Sequence, residues 1–432
     1  MPAKSLLALG LSLVLTAQAK KPVVSKAVLE NGLVVLTRSS KANDIVAVEV
    51  LLRMGPLYER DEEAGLSDLT QRLLLKGTES RTAEELAEEI ESSGAKLSSG
   101  ASREYGYLSL LTTEDRWREA LDLLFDVMLH PTFPEREVEQ EKQMALRRIK
   151  ARRDRLLTRA VDLLREAFYR PHPHHKPTLG YPETVSGFSR GQVVDWYRKF
   201  HVPNNMVLAA VGNFPEGEFS EMVRETLGSL PQGPLPDPAA GEPPVRAEPE
   251  EAFERRESQA VWVALGYPAP PLTDRGYAAM EVLDAILGGS MDSRLFVSVR
   301  DTRGLAYQVG SSYIAMGSPS LFLVYLGTRP EQFEEAKAVA LGEVERMAEE
   351  PVLEEELRAA KTFLKGTFLM SQERNIDQAA LLARFELMGL GYGFVEEYPE
   401  LIEAVTREEV QRAAREYLAG PYVLGAVVPE GE

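Results

Sequence analysis

Residues 46–54 read VAVEVLLRM, and residues 65–78 read GLSDLTQRLLLKGT. The first stretch has the alternation and β-branched content of a strand, and the second has the apolar spacing of an amphipathic helix. The same pair returns about 210 residues later, as a strand from Ala260 to Tyr267 and a helix from Tyr277 to Leu287. A match of a chain with itself at one long offset indicates duplication. The sequence therefore predicts one structural unit that occurs twice.

The remaining elements repeat in the same order. Ser93-Gly94-Ala95 opens a strand pair that runs to Thr113, and Arg303-Gly304-Leu305 opens another that runs to Thr328. The later matches are helix 115–129 with 331–347, helix 135–164 with 354–385, and a closing helix and strand at 190–200 and 206–211 with 407–417 and 422–428. Strand pairs alternating with helices favour an α+β fold. We expect two homologous domains, each a mostly antiparallel sheet with helices on one face, that face each other across a cleft.

A proline-rich segment separates the two halves. Residues 231–244 read PQGPLPDPAAGEPP, and their prolines remove backbone donors and favour an extended, semi-rigid path. We therefore predict an N-terminal domain at 20–230, a linker at 231–244 and a C-terminal domain at 245–432.

Composition excludes several classes of protein. The 432 residues carry a formal charge of -18 and no cysteine. An acidic chain without a Lys/Arg cluster is unsuited to nucleic acid, and a chain without cysteine has neither disulfides nor thiolate metal sites. Metal ligands would have to be histidines and carboxylates.

The N-terminus has the pattern of a secretory signal. Lys4 precedes an apolar run from Leu6 to Leu15, and Ala17-Gln18-Ala19 has the form of a cleavage site. We predict a signal peptide at 1–19 and an exported protein, periplasmic or extracellular. No later segment approaches the roughly 18 apolar residues that a membrane helix needs, so membrane insertion is not expected after cleavage.

The helix at 65–78, with its Lys-Gly-Thr ending, resembles the zinc helix of the pitrilysin/insulinase-type metallopeptidases, the inverzincins. In that family the helix reads H-x-x-E-H, in which two His are ligands and the Glu is the general base. The three matching positions here hold Asp68, Gln71 and Arg72. The resemblance covers nearly all of the chain after residue 19 and implies the mitochondrial-processing-peptidase-like metallohydrolase fold.

The family's third ligand has also been replaced. It is a Glu in a helix that resembles residues 141–149, and the matching residue here is Arg148. A guanidinium has no lone pair to give a metal, and its charge repels a divalent ion. We therefore expect no metal in this chain. Asp68 can instead pair with Arg72 along the helix, with Arg148 as a second possible partner.

The second half keeps what the first has lost. Residues 286–307, ILGGSMDSRLFVSVRDTRGLAY, resemble the family's second-domain signature, in which an Arg and a Tyr seven residues later lie opposite the zinc. Here these are Arg300 and Tyr307, whose guanidinium and phenol O–H could polarise a peptide carbonyl. The alternative is that Tyr307 begins a strand with its ring buried and that Arg300 only ends a helix.

Two further motifs were weighed as ligand sites. Gly288-Gly289 matches no phosphate-binding fingerprint, so we interpret it as a tight turn that, by the resemblance, lies beside the substrate cleft. Residues 171–177, PHPHHKP, hold three of the five histidines. We interpret this segment as a solvated loop rather than a metal site, since the prolines keep it open. His130 and His201 are interpreted as structural.

The resemblance implies a metal-free subunit of a heteromeric zinc peptidase. In two-chain bacterial members of the family, one chain carries H-x-x-E-H and the other the Arg/Tyr pair, so this chain would place Arg300 and Tyr307 at the zinc of its partner. Extended peptides, adding a strand to a sheet edge, would be the substrates. The alternative is a non-catalytic peptide-binding or assembly subunit, like the core proteins of respiratory complexes. An independently active hydrolase has little support, because no G-x-S-x-G elbow occurs.

Overall fold

The computed structural model of the protein describes residues 23–239, 241, 243–317 and 319–430. The predicted signal peptide at 1–19 lies outside the described residues. Within these ranges, no helix is long and apolar enough to cross a membrane.

The first half forms a six-stranded sheet. Its strands are β1 (Ser25–Val28), β2 (Val34–Ser39), β3 (Ile45–Arg53), β4 (Lys96–Ala101), β5 (Tyr105–Thr113) and β6 (Met206–Gly212), in the order β1-β2-β6-β3-β5-β4. Only β2 and β6 run parallel. The central strand β6 is buried along its whole length, which agrees with its unbroken run of small and β-branched residues.

Eight helices belong to the first half: α1 (Leu66–Leu73), α2 (Ala83–Ser92), α3 (Trp117–Leu129), α4 (Glu135–Arg153), α5 (Leu156–Tyr169), α6 (Pro182–Gly187), α7 (Arg190–Phe200) and α8 (Glu216–Leu227). Capping residues start several of them. Thr82 and Ser189 each accept a hydrogen bond from the backbone N–H three residues on and so begin α2 and α7.

The second half repeats the plan with a five-stranded sheet. Its strands are β7 (Glu250–Arg256), β8 (Val261–Ala269), β9 (Gln308–Ile314), β10 (Ser320–Thr328) and β11 (Val423–Pro429), in the order β7-β11-β8-β10-β9. Only β7 and β11 run parallel. Its helices are α9 (Tyr277–Leu287), α10 (Phe333–Glu349), α11 (Glu354–Met370), α12 (Asn375–Leu387), α13 (Phe394–Ala404) and α14 (Arg407–Tyr417). Two mostly antiparallel sheets with helices confirm the predicted α+β fold.

The two long helices expected at 135–164 and 354–385 are both broken. The first divides at Asp154 and Arg155 into α4 and α5, and the second divides after Met370 into α11 and α12. The reason lies in the packing, because α5 lies on β8 and β11 of the second sheet while α12 lies on β3 and β6 of the first. Each half therefore covers the inner face of the other's sheet with one helix.

This exchange corrects the expectation of helices on one face only. The outer face of the first sheet packs on helices of its own half, in a core that includes Leu69, Leu124 and Val193. Its inner face contributes Leu51 and Ala209 to the core of the second half. The contacts of α5 and α12 with the inner face of the opposite sheet join the two halves into one continuous packed body.

Candidate functional site

The helix α1, whose family counterpart carries the zinc ligands, begins on a buried carboxylate. Glu59 is fully buried, and its two carboxylate oxygens accept hydrogen bonds from the backbone N–H groups of Gly65 (3.0 Å) and Ser67 (2.9 Å). Burial raises the pKa of Glu59 to about 7, against the hydrogen bonds from Ser67 and Gly65, which lower it. An acceptor at the first turn satisfies donors that the helix leaves unpaired, so Glu59 fixes where α1 starts.

Asp68 and Arg72 form an ion pair in place of the two metal-binding imidazoles. Arg72 Nε lies 2.7 Å from Asp68 Oδ2, and the Asp68 side chain is only 4% exposed. Burial lowers the pKa of Arg72, but the hydrogen bond and charge of Asp68 outweigh it, and the net shift is upward. The i,i+4 spacing that would suit two metal ligands is thus used by one ion pair.

Gln71 occupies the position of the general base and packs into the first domain. Its Oε1 accepts a hydrogen bond from Ser99 Oγ at 3.2 Å, while its Nε2 has no partner among the described residues. A Cβ at Gly106 would overlap the Gln71 amide, so glycine at 106 leaves the space that Gln71 fills. An amide cannot accept a proton from water at neutral pH and cannot serve as the base.

Arg148, at the third ligand position, pairs with Glu141 rather than with Asp68. Arg148 Nη2 lies 2.5 Å from Glu141 Oε1, and Lys76 Nζ lies 4.0 Å from the other oxygen of that carboxylate. The second partner suggested for Asp68 is therefore wrong. Glu141 is nearer to Arg148 because both residues project from α4.

These residues do not fit a zinc ion. Two of the four positions carry guanidinium groups, which have no lone pair for a metal. Within the described ranges, no group of three or more His, Asp or Glu side chains is arranged to hold an ion. The side chains at these four positions are therefore chemically unsuited to coordinate a zinc ion.

Arg300 and Tyr307 are both exposed on the second half. Arg300 lies in a short π-helical segment, Phe296–Asp301, with its Cζ 5.0 Å from the centre of the Phe296 ring. Tyr307 is 55% exposed, and its backbone N–H donates to Gly327 O at 2.8 Å. Neither side chain forms a hydrogen bond or an ion pair with another described residue. The alternative of a buried Tyr307 ring is wrong, because more than half of the residue is exposed.

The pair is not joined to the first-half positions within this chain. Among the described residues, no hydrogen bond or ion pair connects Arg300 or Tyr307 with Asp68, Gln71, Arg72 or Arg148. The chain therefore presents two separate features: ion pairs at Asp68–Arg72 and Glu141–Arg148, and an exposed Arg300 and Tyr307 without hydrogen bonds to described residues.

Gly288 and Gly289 form a tight turn after α9 that docks on β9. Ser311 N–H donates to Gly288 O at 3.3 Å, and a Cβ at Gly288 would lie 2.3 Å from Ser311 N. Close approach of the two backbones thus requires glycine at 288. The position of the turn beside the substrate cleft stays a prediction.

The His-Pro segment is buried, which corrects the expectation of a solvated loop. His174 is fully buried and His172 is 4% exposed. Burial lowers the pKa of His172 to about 4, and burial also lowers the pKa of His174 against the hydrogen bond and charge of Glu104, whose Oε1 lies 3.4 Å from Nε2. The proline and histidine content is typical of a loop, but contacts with the β4–β5 hairpin, distant in sequence, bury the segment. His201 also has a lowered pKa, about 3, because of burial.

A buried carboxyl in the inner face of the first sheet was missed at the sequence level. Glu49 projects from β3 into an open cavity of about 670 Å³ between this sheet and α11–α12, and its only hydrogen bond among the described side chains is from Ser109. The available signal was its isolation, since Glu49 is the only charged residue between Ile45 and Leu52.

Comparisons with known proteins agree with this architecture. The sequence profile described as "Insulinase (Peptidase family M16)" matches residues 34–181, and the one described as "Peptidase M16 inactive domain" matches residues 187–364. An uncharacterized zinc protease of Mycobacterium tuberculosis is 30% identical over 408 residues, 93% of this chain and 92% of that protein. An uncharacterized zinc protease of Bacillus subtilis is 26% identical, over 95% of this chain and 99% of that protein.

Solved structures show the same fold. The crystal structure of a peptidase M16 inactive domain from Pseudomonas fluorescens superposes with a TM-score of 0.87 at 23% identity, covering 94% of this chain and 98% of that one. A protease from Helicobacter pylori gives a TM-score of 0.87 at 21% identity, covering 95% and 100%. With both halves matched by family profiles and a relative aligned along nearly its whole length, the chain belongs to peptidase family M16, the insulinase family.

Proposed function

We propose that this chain is the metal-free subunit of a heteromeric zinc peptidase, and that it supplies Arg300 and Tyr307 to a zinc site carried by a partner chain with H-x-x-E-H. The partner would hold the zinc, which would activate water and polarise the scissile carbonyl. The roles of Arg300 and Tyr307 are to bind that carbonyl and stabilise the charge that develops on its oxygen.

One observation carries the proposal: the contrast between the two sets of family positions. Asp68 and Arg148 are each engaged by a charged partner within the chain, at 2.7 and 2.5 Å. The side chains of Arg300 and Tyr307 are exposed and form no hydrogen bond or ion pair with another described residue. Exposed donors without a partner are available to a second molecule, whereas a filled ion-pair site is not.

The chemistry suits the stabilisation of an oxyanion. A phenol O–H and a guanidinium each donate to an oxygen that gains charge as water attacks the carbonyl, and donors placed before the reaction need no reorganisation. Docking of the partner would exclude water from the pair and strengthen both interactions. Arg300 also stacks on the Phe296 ring, which limits the directions that the guanidinium can take.

The proposal includes partners and location. The substrates would be extended peptides that lie between the two chains, and the complex would be periplasmic or extracellular after cleavage of the N-terminal signal. The pattern from Lys4 to Ala19 supports export.

Substitution of Tyr307 by Phe tests the proposal. The chain is mixed with the H-x-x-E-H protein of the same organism, and hydrolysis of a fluorogenic peptide library is followed. We expect Tyr307→Phe to lower kcat by about 100-fold, as for the loss of one oxyanion donor, with little change in KM. Tyr325→Phe, which removes a phenol O–H on the neighbouring strand β10, is the matched control and should keep full activity.

Size-exclusion chromatography of each mixture must show that the variant still assembles. Full activity of an assembled Tyr307→Phe complex would contradict the proposal and favour the assembly or peptide-binding subunit instead. Hydrolysis by the purified chain alone would contradict both.

A further inference from the structure

The cavity that holds Glu49 lies on the inner face of the first sheet, beside the helix exchanged from the second half. Its sheet side includes Glu49, Leu51 and Tyr105, and its helix side includes Met370 and Arg374. Because α12 covers β3 and β6, the uncovered part of the face extends over β5 toward the edge strand β4. The cavity of about 670 Å³ has room for a long side chain and the backbone that carries it.

Glu49 is a carboxyl group without a cation. It is 5% exposed, it accepts a hydrogen bond from Ser109 Oγ, and it forms no ion pair with any described residue. Neither arginine at the opposite wall pairs with Glu49. Arg374 binds both oxygens of Asp377, at 2.6 and 2.8 Å. Arg384 donates to Ala315 O at 3.2 Å through Nη2, and its Nε has no hydrogen-bond partner among the described residues.

A lone carboxyl in such a place is costly to the fold. Burial of an acid with a single neutral partner is unfavourable, and apolar residues on both sides in β3 show that the strand itself does not need it. Groups of this kind are concentrated at binding sites, where a ligand supplies the missing partner.

Tyr107, on the strand paired with β3, interacts with charged groups of both β3 and α1. Burial raises its pKa, and the charge of Arg72 opposes that rise. The carboxyl groups of Asp68 and Glu49 add to the rise, so Tyr107 lies within electrostatic reach of both.

We propose that Glu49 and the cavity around it form a subsite that binds the ammonium or guanidinium group of a Lys or Arg side chain in an extended peptide. The carboxylate makes a charge-assisted hydrogen bond to the cation, and the exposed part of the Tyr105 ring lies beside its alkyl stem. The inference deepens the proposed function and rests on it for the peptide to be a substrate; the binding itself belongs to this chain alone.

Burial raises the pKa of Glu49 to about 8, and the hydrogen bond from Ser109 opposes this rise. At pH 7 the empty site would hold a proton that an arriving cation displaces. Other titratable or charged groups that line the cavity are Tyr105, Arg374, Asp377 and Arg384, and Tyr107 on β5 interacts electrostatically with Glu49. Cation binding should thus release a proton, and affinity should rise between pH 6 and pH 9.

Isothermal titration calorimetry on the purified full-length chain tests the subsite without a partner. The probes are acetyl-Ala-Ala-Arg-Ala-Ala-amide and the same peptide with citrulline, which keeps the shape of arginine without its charge. We expect the arginine peptide to bind at least about tenfold more tightly than the citrulline peptide. Glu49→Gln should abolish the difference, and Glu30→Gln, at an exposed carboxylate outside any ion pair, should preserve it.

Titrations in two buffers of different ionisation enthalpy at pH 7 count the protons released on binding. Release that disappears in Glu49→Gln assigns the effect to this residue. Equal binding of the arginine and citrulline peptides, or retained discrimination by a folded Glu49→Gln variant, would overturn the proposal. A titration with spermidine tests whether the bound cation is a free polyamine rather than a peptide side chain. Binding of spermidine without binding of the arginine peptide would overturn the proposal that the ligand is a peptide.

This result is distinguishable from a failure of the proposed function. Loss of zinc-dependent hydrolysis on mixing would leave the calorimetric discrimination intact, because the titration contains neither partner nor metal. Circular dichroism and thermal unfolding of Glu49→Gln verify folding, and Ser109→Ala, which removes only the hydrogen-bond donor, provides a second variant of the same site.

Discussion

Arg72 Nε lies 2.7 Å from Asp68 Oδ2, at the two positions that the sequence resemblance matches to zinc ligands of the family. A buried carboxylate in an ion pair is stabilised only while its cationic partner is present. Removal of one partner leaves the other buried or half-buried without compensation. The stability of α1 should therefore depend on this pair.

Asp68→Asn should lower the free energy of unfolding by about 1–3 kcal/mol, because it removes the charge from a nearly buried acceptor and leaves Arg72 without an anion. Urea denaturation at pH 7 measures the change. The matched control is Glu119→Gln in the exposed pair with Arg116, whose side chains are 64% and 49% exposed, and it should cost much less than Asp68→Asn. Equal losses in the two variants would contradict a stabilising role for the Asp68 pair.

Replacement of all four positions should restore a metal site. Asp68→His, Gln71→Glu, Arg72→His and Arg148→Glu together return two imidazoles at i,i+4 and a third ligand from α4, and we expect about one equivalent of zinc per chain by elemental analysis. The variant that keeps Arg148 is the control and should bind zinc much more weakly. Tight binding by that control would show that α4 does not supply the third ligand.

The sequence predicted the features that depend on residue type at a fixed spacing. Duplication, two α+β halves and the loss of metal ligands all follow from periodicity and from the identities of Asp68, Gln71 and Arg72. Features that depend on distant contacts were missed. Nothing local in the α4–α5 segment indicates that the chain turns at Asp154 to reach the other sheet.

Burial of the His-Pro segment shows the same limit. Prolines and histidines are typical of loops, but His174 is fully buried because Glu104 of the distant β4–β5 hairpin and the Tyr169 ring of α5 pack against it. Glu49 was visible as a lone charge in an apolar strand, but the cavity before it is formed by α11 and α12, more than three hundred residues away in sequence.

Gly425→Ala should destabilise the protein through the exchanged helix α5. A Cβ at Gly425 would lie 2.3 Å from Ala160 O and 2.4 Å from Leu164 N, both backbone atoms of that helix. We expect a loss of about 1–3 kcal/mol in urea denaturation, since α5 must move off the sheet. Gly366→Ala, in an exposed turn of α11 with no atom within 4 Å, is the control and should stabilise by about 0.5–1 kcal/mol. An unchanged free energy of unfolding in Gly425→Ala would show that the packing of α5 on β11 is loose.

The stability of the protein should fall with rising pH because of Glu49, and Glu49→Gln should remove that fall. Burial raises the pKa of Glu49 from an ordinary value of 4.5 to about 8, so the folded state binds more protons than the unfolded state between these pH values. Stability from this group is then lost as pH rises through that window. Urea denaturation of both proteins at pH 5, 6.5, 8 and 9 should show the advantage of Glu49→Gln growing up to about pH 8 and levelling off above it. Ser109→Ala removes the hydrogen bond that lowers the pKa of Glu49, and it should raise the pH at which the stability difference levels off. A difference between native protein and Glu49→Gln that stays constant from pH 5 to pH 9 would show that the Glu49 carboxyl ionises normally in the folded state.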